Sequence, residues 1–479
     1  MNAFCLRPLI LACGLGASLP AVAQDTSFNL HSGNASLICL YSHTLADDAT
    51  AHPHQPGVAM RHDFFGNTAA NAHTTGRTLL DTPDSTCENA ADGSAYWAPS
   101  LKLADGTIVP PSYQKAYYTN IAVPSSLRQP VNTPPMALQM LAGDPDGTGP
   151  NPRISFLCTG RGYTNTIPTD CVPDPVKGTQ LNIGVSFPTC WDGNNLAPML
   201  RPHHGGYNNM AYPNSSGACP SGYPVRIPHV SMNIAYMIGH VRDLTGAQLS
   251  IDPRLDAHGK PEQERWGSLY SAHADFFNGW QPNAIHFMVE YCLNKGRACH
   301  REIPYSFTEP EADAMVVDGE GRHTRLGGDI KLATEAAQGT ATPQSHFFMR
   351  FSIPGGADKL PPRFTPQYKI QIHGANITGA SGGMLQVYTT DINWNEHNLT
   401  MDSAPACGGK LAGRLFLDGQ FQYREIDVTE AVQTARQAGQ TLISFCVKAA
   451  RQGNAYGFHS REGAHKPVLY LRAVKELPY

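Results

Sequence analysis

The twelve cysteines of this chain constrain its fold more than any other feature, and their meaning depends on where its first residues send it. Arg7 supplies a positive charge, an apolar run follows from Leu9 to Leu19, and Ala21-Val22-Ala23 gives the small-x-small pattern that signal peptidase accepts. Residues 1–23 are therefore expected to be an export signal, with a mature chain that starts at Gln24 and is secreted or periplasmic. The apolar run is too short to span a bilayer, and no later stretch is long and apolar enough, so no membrane span is expected. Cys5 and Cys13 leave with the signal. Ten cysteines remain: Cys39, Cys87, Cys158, Cys171, Cys190, Cys219, Cys292, Cys299, Cys407 and Cys446. An even number in an oxidising compartment reads as disulfides, and none sits in a C-x-x-C pair of the zinc or redox kind. Spacing does not give the connectivity, except that Cys407 and Cys446 stand alone at the far end and are expected to pair.

Charged residues are only 15% of the chain while glycine and proline number 45 and 38, which favours short strands and many turns over long helices. The net charge of −4 comes without a clustered basic face. Phosphate neutralisation needs such a face, so nucleic acid is excluded as a partner.

The fold class expected is mainly β. Residues 24–308 read as a β-rich, disulfide-bonded front domain with few helices and as the candidate catalytic part. Ser36 to Leu40, Ile154 to Cys158 and Leu181 to Phe187 look like strands between Gly/Pro turns, and Val230 to Val241 fits strand or helix. One helix is expected from Pro282 to Leu293, stopped by Lys295-Gly296. Residues 309–344, rich in Glu, Asp, Gly, Ala and Thr, read as a linker or irregular lead-in. Residues 345–479 read as a C-terminal β-sandwich of jelly-roll type. Phe347 to Ile353, Tyr368 to Ile372, Leu385 to Tyr388, Thr441 to Val447 and Val468 to Leu471 are its expected strands.

Two front segments look alike. Arg61-His62-Asp63-Phe64-Phe65-Gly66-Asn67 and His273-Ala274-Asp275-Phe276-Phe277-Asn278-Gly279-Trp280 each place His and Asp before Phe-Phe and a turn. A carboxylate can orient an imidazole for acid–base work, or both can bind a metal. The same residues can also simply cap turns by bonding exposed backbone. His62 and His273 are the candidates for proton transfer, with Asp63, Asp192 and Asp275 as orienting or acid–base carboxylates. No H-E-x-x-H or G-x-S-x-G motif is present. No cofactor is required by the sequence, and a divalent metal remains open. Flat rings pack on the apolar faces of sugars, which makes Trp97, Trp191, Trp266, Trp280 and Trp394 substrate-binding candidates. Were the substrate acidic, Arg61 or His204 would be the candidates to neutralise its carboxylate.

Met60-Arg61-His62-Asp63-Phe64-Phe65-Gly66-Asn67, Ser94 to Pro99, Met140 to Pro145, Cys190-Trp191-Asp192-Gly193 and His273 to Trp280 follow one another in order over about 250 residues. In this the front part resembles a secreted family of unassigned function marked by H-x-H-x-F-F-G-N, C-W-D-G and H-x-D-F-x-N-G-W. Met60 stands where that family commonly has its first histidine. Phe348 to Phe351, Val387 to Glu396, Ile426 to Thr429 and Ser460-Arg461-Glu462 give the last part a likeness to carbohydrate-binding modules of the DNRLRE type, some of them associated with alginate-degrading enzymes. That resemblance implies a polysaccharide partner. The reading that follows is a secreted polysaccharide-cleaving enzyme, hydrolase or lyase, with an appended glycan-binding module. Its rival is a non-catalytic extracellular glycan-binding or surface protein.

Overall fold

The computed structural model describes residues 33–475 apart from residue 83 and residues 121–128, 200–207, 337–343 and 379–381. The expected export signal at 1–23 and the candidate His204 lie outside the described residues. The described chain forms two compact units, a front unit through Ile303 that also includes Val474, and a rear unit from Pro304 to Ala473.

The front unit is built on a nine-stranded, nearly closed sheet. Its strands are β1 (Asn34–Leu45), β2 (His62–Gly66), β3 (Ala95–Pro99), β4 (Tyr113–Thr119), β5 (Gln139–Gly143), β6 (Ile154–Cys158), β7 (Gln180–Ser186), β8 (His229–Met237) and β9 (His273–Phe277). They are ordered β5-β9-β3-β2-β1-β4-β8-β7-β6. The segment left open between strand and helix is thus β8. Strands β4, β5 and β6 bury every second residue, as one-sided strands do. Three neighbouring strands differ: all five residues of β2, of β3 and of β9 are buried. Polar side chains on such strands are hidden from water whichever way they point, and each must find a partner or hold a function. The expected helix forms at Pro282–Phe287 and continues as a wider turn through Met288–Leu293.

Five disulfides close the fold: Cys39–Cys87, Cys158–Cys171, Cys190–Cys219 and Cys292–Cys299 in front, and Cys407–Cys446 behind, the last as expected.

The rear unit is an eleven-stranded, sandwich-like array carrying the short helix Thr429–Gln437. The described part of residues 309–344, expected as a linker, belongs to it. Pro310–Val317 pairs with Ser345–Ser352, and Lys331–Glu335 pairs with Ala455–His459. The strand was hidden by its small residues. Ala312, Ala314 and Val316 line one face at a spacing of two and form the floor on which Phe348, Trp394 and Leu399 pack. The boundary also moves forward from 308, because Ser306–Thr308 pairs with Val468–Arg472.

Candidate functional site

Register brings the site together. In the β2–β3 pair His62 lies opposite Pro99 and Phe64 opposite Trp97. In the β3–β9 pair Asp275 lies opposite the same Trp97. Side chains alternate faces along a strand, and directly opposed residues share one. His62, Trp97, His273 and Asp275 therefore project from one face, with Asp63 on the other. On the outer side of β9, Gly143 of β5 faces His273. At Gly143 φ is +93°, and a Cβ there would stand 2.3 Å from the Ala272 carbonyl oxygen, so only glycine lets the strands approach so closely.

The rings of His62 and His273 meet edge to face, 5.8 Å between centroids. Ligand-capable atoms of His62, His273 and Asp275 lie within 4.8 Å of one another. His62 Nδ1 is 3.0 Å from the Asp47 carbonyl oxygen, and His273 Nδ1 is 2.9 Å from that of Ser271. A carbonyl only accepts, so both Nδ1 atoms carry the hydrogen and donate it, which leaves Nε2 as the one nitrogen of each ring that can offer a lone pair. His62 Nε2 and Asp275 Oδ1 are buried without a hydrogen-bond partner. Two imidazoles oriented by backbone carbonyls beside a carboxylate make a donor set that can hold a divalent cation or move a proton.

Electrostatics sharpen this. Burial, and then the neighbouring His62, lower the His273 pKa to about 4, so the ring is neutral at physiological pH. Burial, with Asp48 and Asp252 adding repulsion, pushes the Asp275 carboxyl well above the ordinary carboxylate range. A cation among these groups would reverse the sign for Asp275.

His273 and Asp275 line a cavity of about 240 Å³ together with Met60, Tyr212, Asp48 and Asp252. The two acids come from loops, and the sequence reading passed over both. Asp48 folds its loop by accepting from the Thr50 and Ala51 amides, each at 2.7 Å. Burial would raise the Asp252 carboxyl, but its pairing with His52 and a hydrogen bond from the Met60 amide outweigh it and hold the group below its ordinary range. His52, 3.6 Å away, is raised in turn by that carboxylate. A neighbouring cavity of about 400 Å³ is lined by Met60, Arg61, Glu262 and Arg265. Arg61 Nε is buried there without a partner.

Several candidates stand elsewhere. Asp63 accepts from Thr44 Oγ1 at 2.6 Å and Ser100 Oγ at 2.9 Å on the opposite face, tying strands together instead of orienting His62. Asp192 accepts from the Asn194 and Asn195 amides and shapes its turn. The half-buried Trp191 donates from Nε1 to the Asn195 carbonyl. Trp97 and Trp280 are wholly buried, and neither presents a face to a sugar. Trp97 stacks on Phe64, and Trp280 donates to the Tyr118 hydroxyl. Trp394 lies in the rear core, donating to Ser444 Oγ with Arg350 over its ring. Among the tryptophan candidates Trp191 and Trp266 are half-buried, and the other three are buried.

Residues 48–280 match the family model described as domain of unknown function DUF1996, and residues 304–473 match that of carbohydrate-binding module family 96. The first match encloses the His62–His273–Asp275 set, and the second coincides with the rear unit. No curated protein matches the chain.

Proposed function

We propose that this is an exported polysaccharide-cleaving protein whose rear unit holds the glycan and whose front unit cuts it, at a divalent cation held by His62, His273 and Asp275. The observation that carries the reading is the buried donor set, with an unpartnered imidazole nitrogen and carboxylate oxygen beside a cavity, in a chain whose other unit matches a carbohydrate-binding module. Five disulfides fit an oxidising compartment, and among the described residues no helix is long and apolar enough to cross a membrane.

A cation held by His62, His273 and Asp275 would supply Lewis-acid activation of water. Asp252, held below its ordinary range and lining the same cavity, is the carboxylate placed to take a proton from a water that attacks the anomeric carbon. As the glycosidic C–O bond breaks, the same carboxyl returns that proton to the leaving oxygen. Arg61, one cavity away, is the candidate to pair with the carboxylate of a uronate-containing chain.

Cation uptake should depend on pH, with the sign set by Asp275. Its carboxyl must lose a proton to become a ligand, so each ion bound displaces about one proton. Apparent affinity for Zn²⁺ should therefore rise roughly tenfold per pH unit while the carboxyl remains protonated. His273, neutral above about pH 4, contributes nothing to that slope. Calorimetric titrations across the neutral range in buffers of different ionisation enthalpy measure both quantities. A flat profile without proton release removes Asp275 from the ligand set.

The function itself is tested by incubating the mature protein with neutral and acidic polysaccharides, with and without chelator. New reducing ends that vanish with chelator are the expected result. Unsaturated, ultraviolet-absorbing ends would replace hydrolysis by β-elimination. Pull-down by a glycan with no new ends on any of them would overturn cleavage and leave a binding protein.

A further inference from the structure

The rear unit holds a second set of converging donors that the glycan reading does not use. In the strand Gln367–Asn376, His373 lies opposite Tyr423 of Gln422–Asp427. On its other side Gly374 pairs with Phe458 of Ala455–His459, which sets His459 beside His373. The chain then turns, and His465 folds back onto both. Ring centroids of His373 and His465 are 4.2 Å apart, those of His459 and His465 4.9 Å, and those of His373 and His459 5.1 Å. All three side chains are buried, and atoms able to bind a metal lie within 4.8 Å of one another.

Gly463 makes the fold-back possible, since a Cβ there would stand 3.0 Å from His459 Nδ1. The Tyr423 hydroxyl is 2.8 Å from His465 Nδ1, which orients that ring with Nε2 turned away from the bond. A polar second partner on the far ring nitrogen is what fixes a ligating histidine.

Three imidazoles whose ligand-capable atoms converge within 4.8 Å form a preassembled nitrogen donor set for one cation. The donors are nitrogen with a phenol nearby and no carboxylate in the set, which suits zinc or copper and not calcium or magnesium. We infer that the rear unit binds one divalent transition-metal ion of the zinc–copper class through His373, His459 and His465. The ion pins the segment between His459 and His465 to the sheet. This site is independent of the front-unit reading.

The test uses the full mature chain carrying His62→Ala, so that the front donor set is broken. After stripping with chelator and reloading with Co²⁺ or Zn²⁺, that protein should hold one equivalent, and the Co²⁺ form should show the ligand-field bands of nitrogen coordination. Adding His465→Gln or His373→Gln should remove the equivalent and the bands. Absence of bands in the His62→Ala protein overturns the inference without any rear variant having to fold. Bands that persist in both rear variants overturn it as well, by placing the ion elsewhere.

Discussion

His273→Ala should lower polysaccharide cleavage by roughly 10²–10⁴-fold, the range typical for loss of a positioned proton-transfer group, and a lost metal ligand should cost no less. The same substitution should reduce cation uptake by the front unit while leaving capture of glycan by the rear unit intact. His62→Ala should behave alike, because the two rings stand 5.8 Å apart with their Nδ1 hydrogens committed to backbone carbonyls. The informative contrast is Asp63→Asn. Reading His62-Asp63 as a catalytic pair makes Asp63 as important as its neighbour. Strand alternation instead turns Asp63 to the opposite face, where it binds Thr44 and Ser100. An amide retains one acceptor there, so Asp63→Asn should keep activity within about threefold, with any cost falling on stability at about 1 kcal/mol. Initial rates of end-group release, with circular dichroism to verify folding, decide between the two. Equal losses at Asp63 and His273 would restore the sequence pair and dissolve the Asp275 assignment.

That contrast marks where the sequence was readable. β6 and the rear strand Gly383–Thr390 show themselves because buried and partly exposed residues alternate along them, while β4 and β5, which alternate too, are not among the expected strands. His62 and His273 are visible as well, since the two segments repeat one another around Phe-Phe. What fails is the choice of partner. On β2, β3 and β9 both faces are buried, so polarity no longer says which way a residue points, and His62-Asp63 looks like a pair through adjacency alone. The true neighbours depend on register: His273 and Asp275 share a face because they are two apart, and β3 sets them against β2. Asp48 and Asp252 sit in loops some 200 residues apart in sequence, and nothing local announces that they converge. The strand at Pro310–Val317 was lost for another reason. Its apolar face is mostly alanine, and alanine carries little weight in a hydrophobic pattern even where it packs in one cluster with Trp394.

Tryptophan raises the same difficulty in its sharpest form, because an indole that stacks on sugar and one that fills a core are the same chemical object. Trp280→Ala separates them. The indole is wholly buried, packs edge to face on Tyr118 at 6.0 Å, and donates from Nε1 to the Tyr118 hydroxyl at 3.0 Å. That hydroxyl is 2.7 Å from the hydroxyl of Tyr96, which donates to Asp92 Oδ2 at 2.8 Å. Burial pushes the Asp92 carboxyl up to about 6, so the chain of donors ends on a group that tolerates little further loss of partners. Truncation to alanine empties a cavity of indole size and strips a donor from a buried network. Large-to-small changes of this kind cost about 3–5 kcal/mol. For a unit of this size that corresponds to a fall in Tm of roughly 6–20 °C. Trp280→Phe fills most of the volume but still loses the donor, and should cost about 1–3 kcal/mol. Thermal unfolding followed by tryptophan fluorescence reports mainly on the front unit, since Trp97, Trp191, Trp266 and Trp280 lie there and Trp394 alone lies behind. Glycan affinity measured well below the lowered Tm should be unchanged. An unchanged Tm with weakened glycan capture would return the ring to the substrate surface and contradict the burial on which the site's architecture rests.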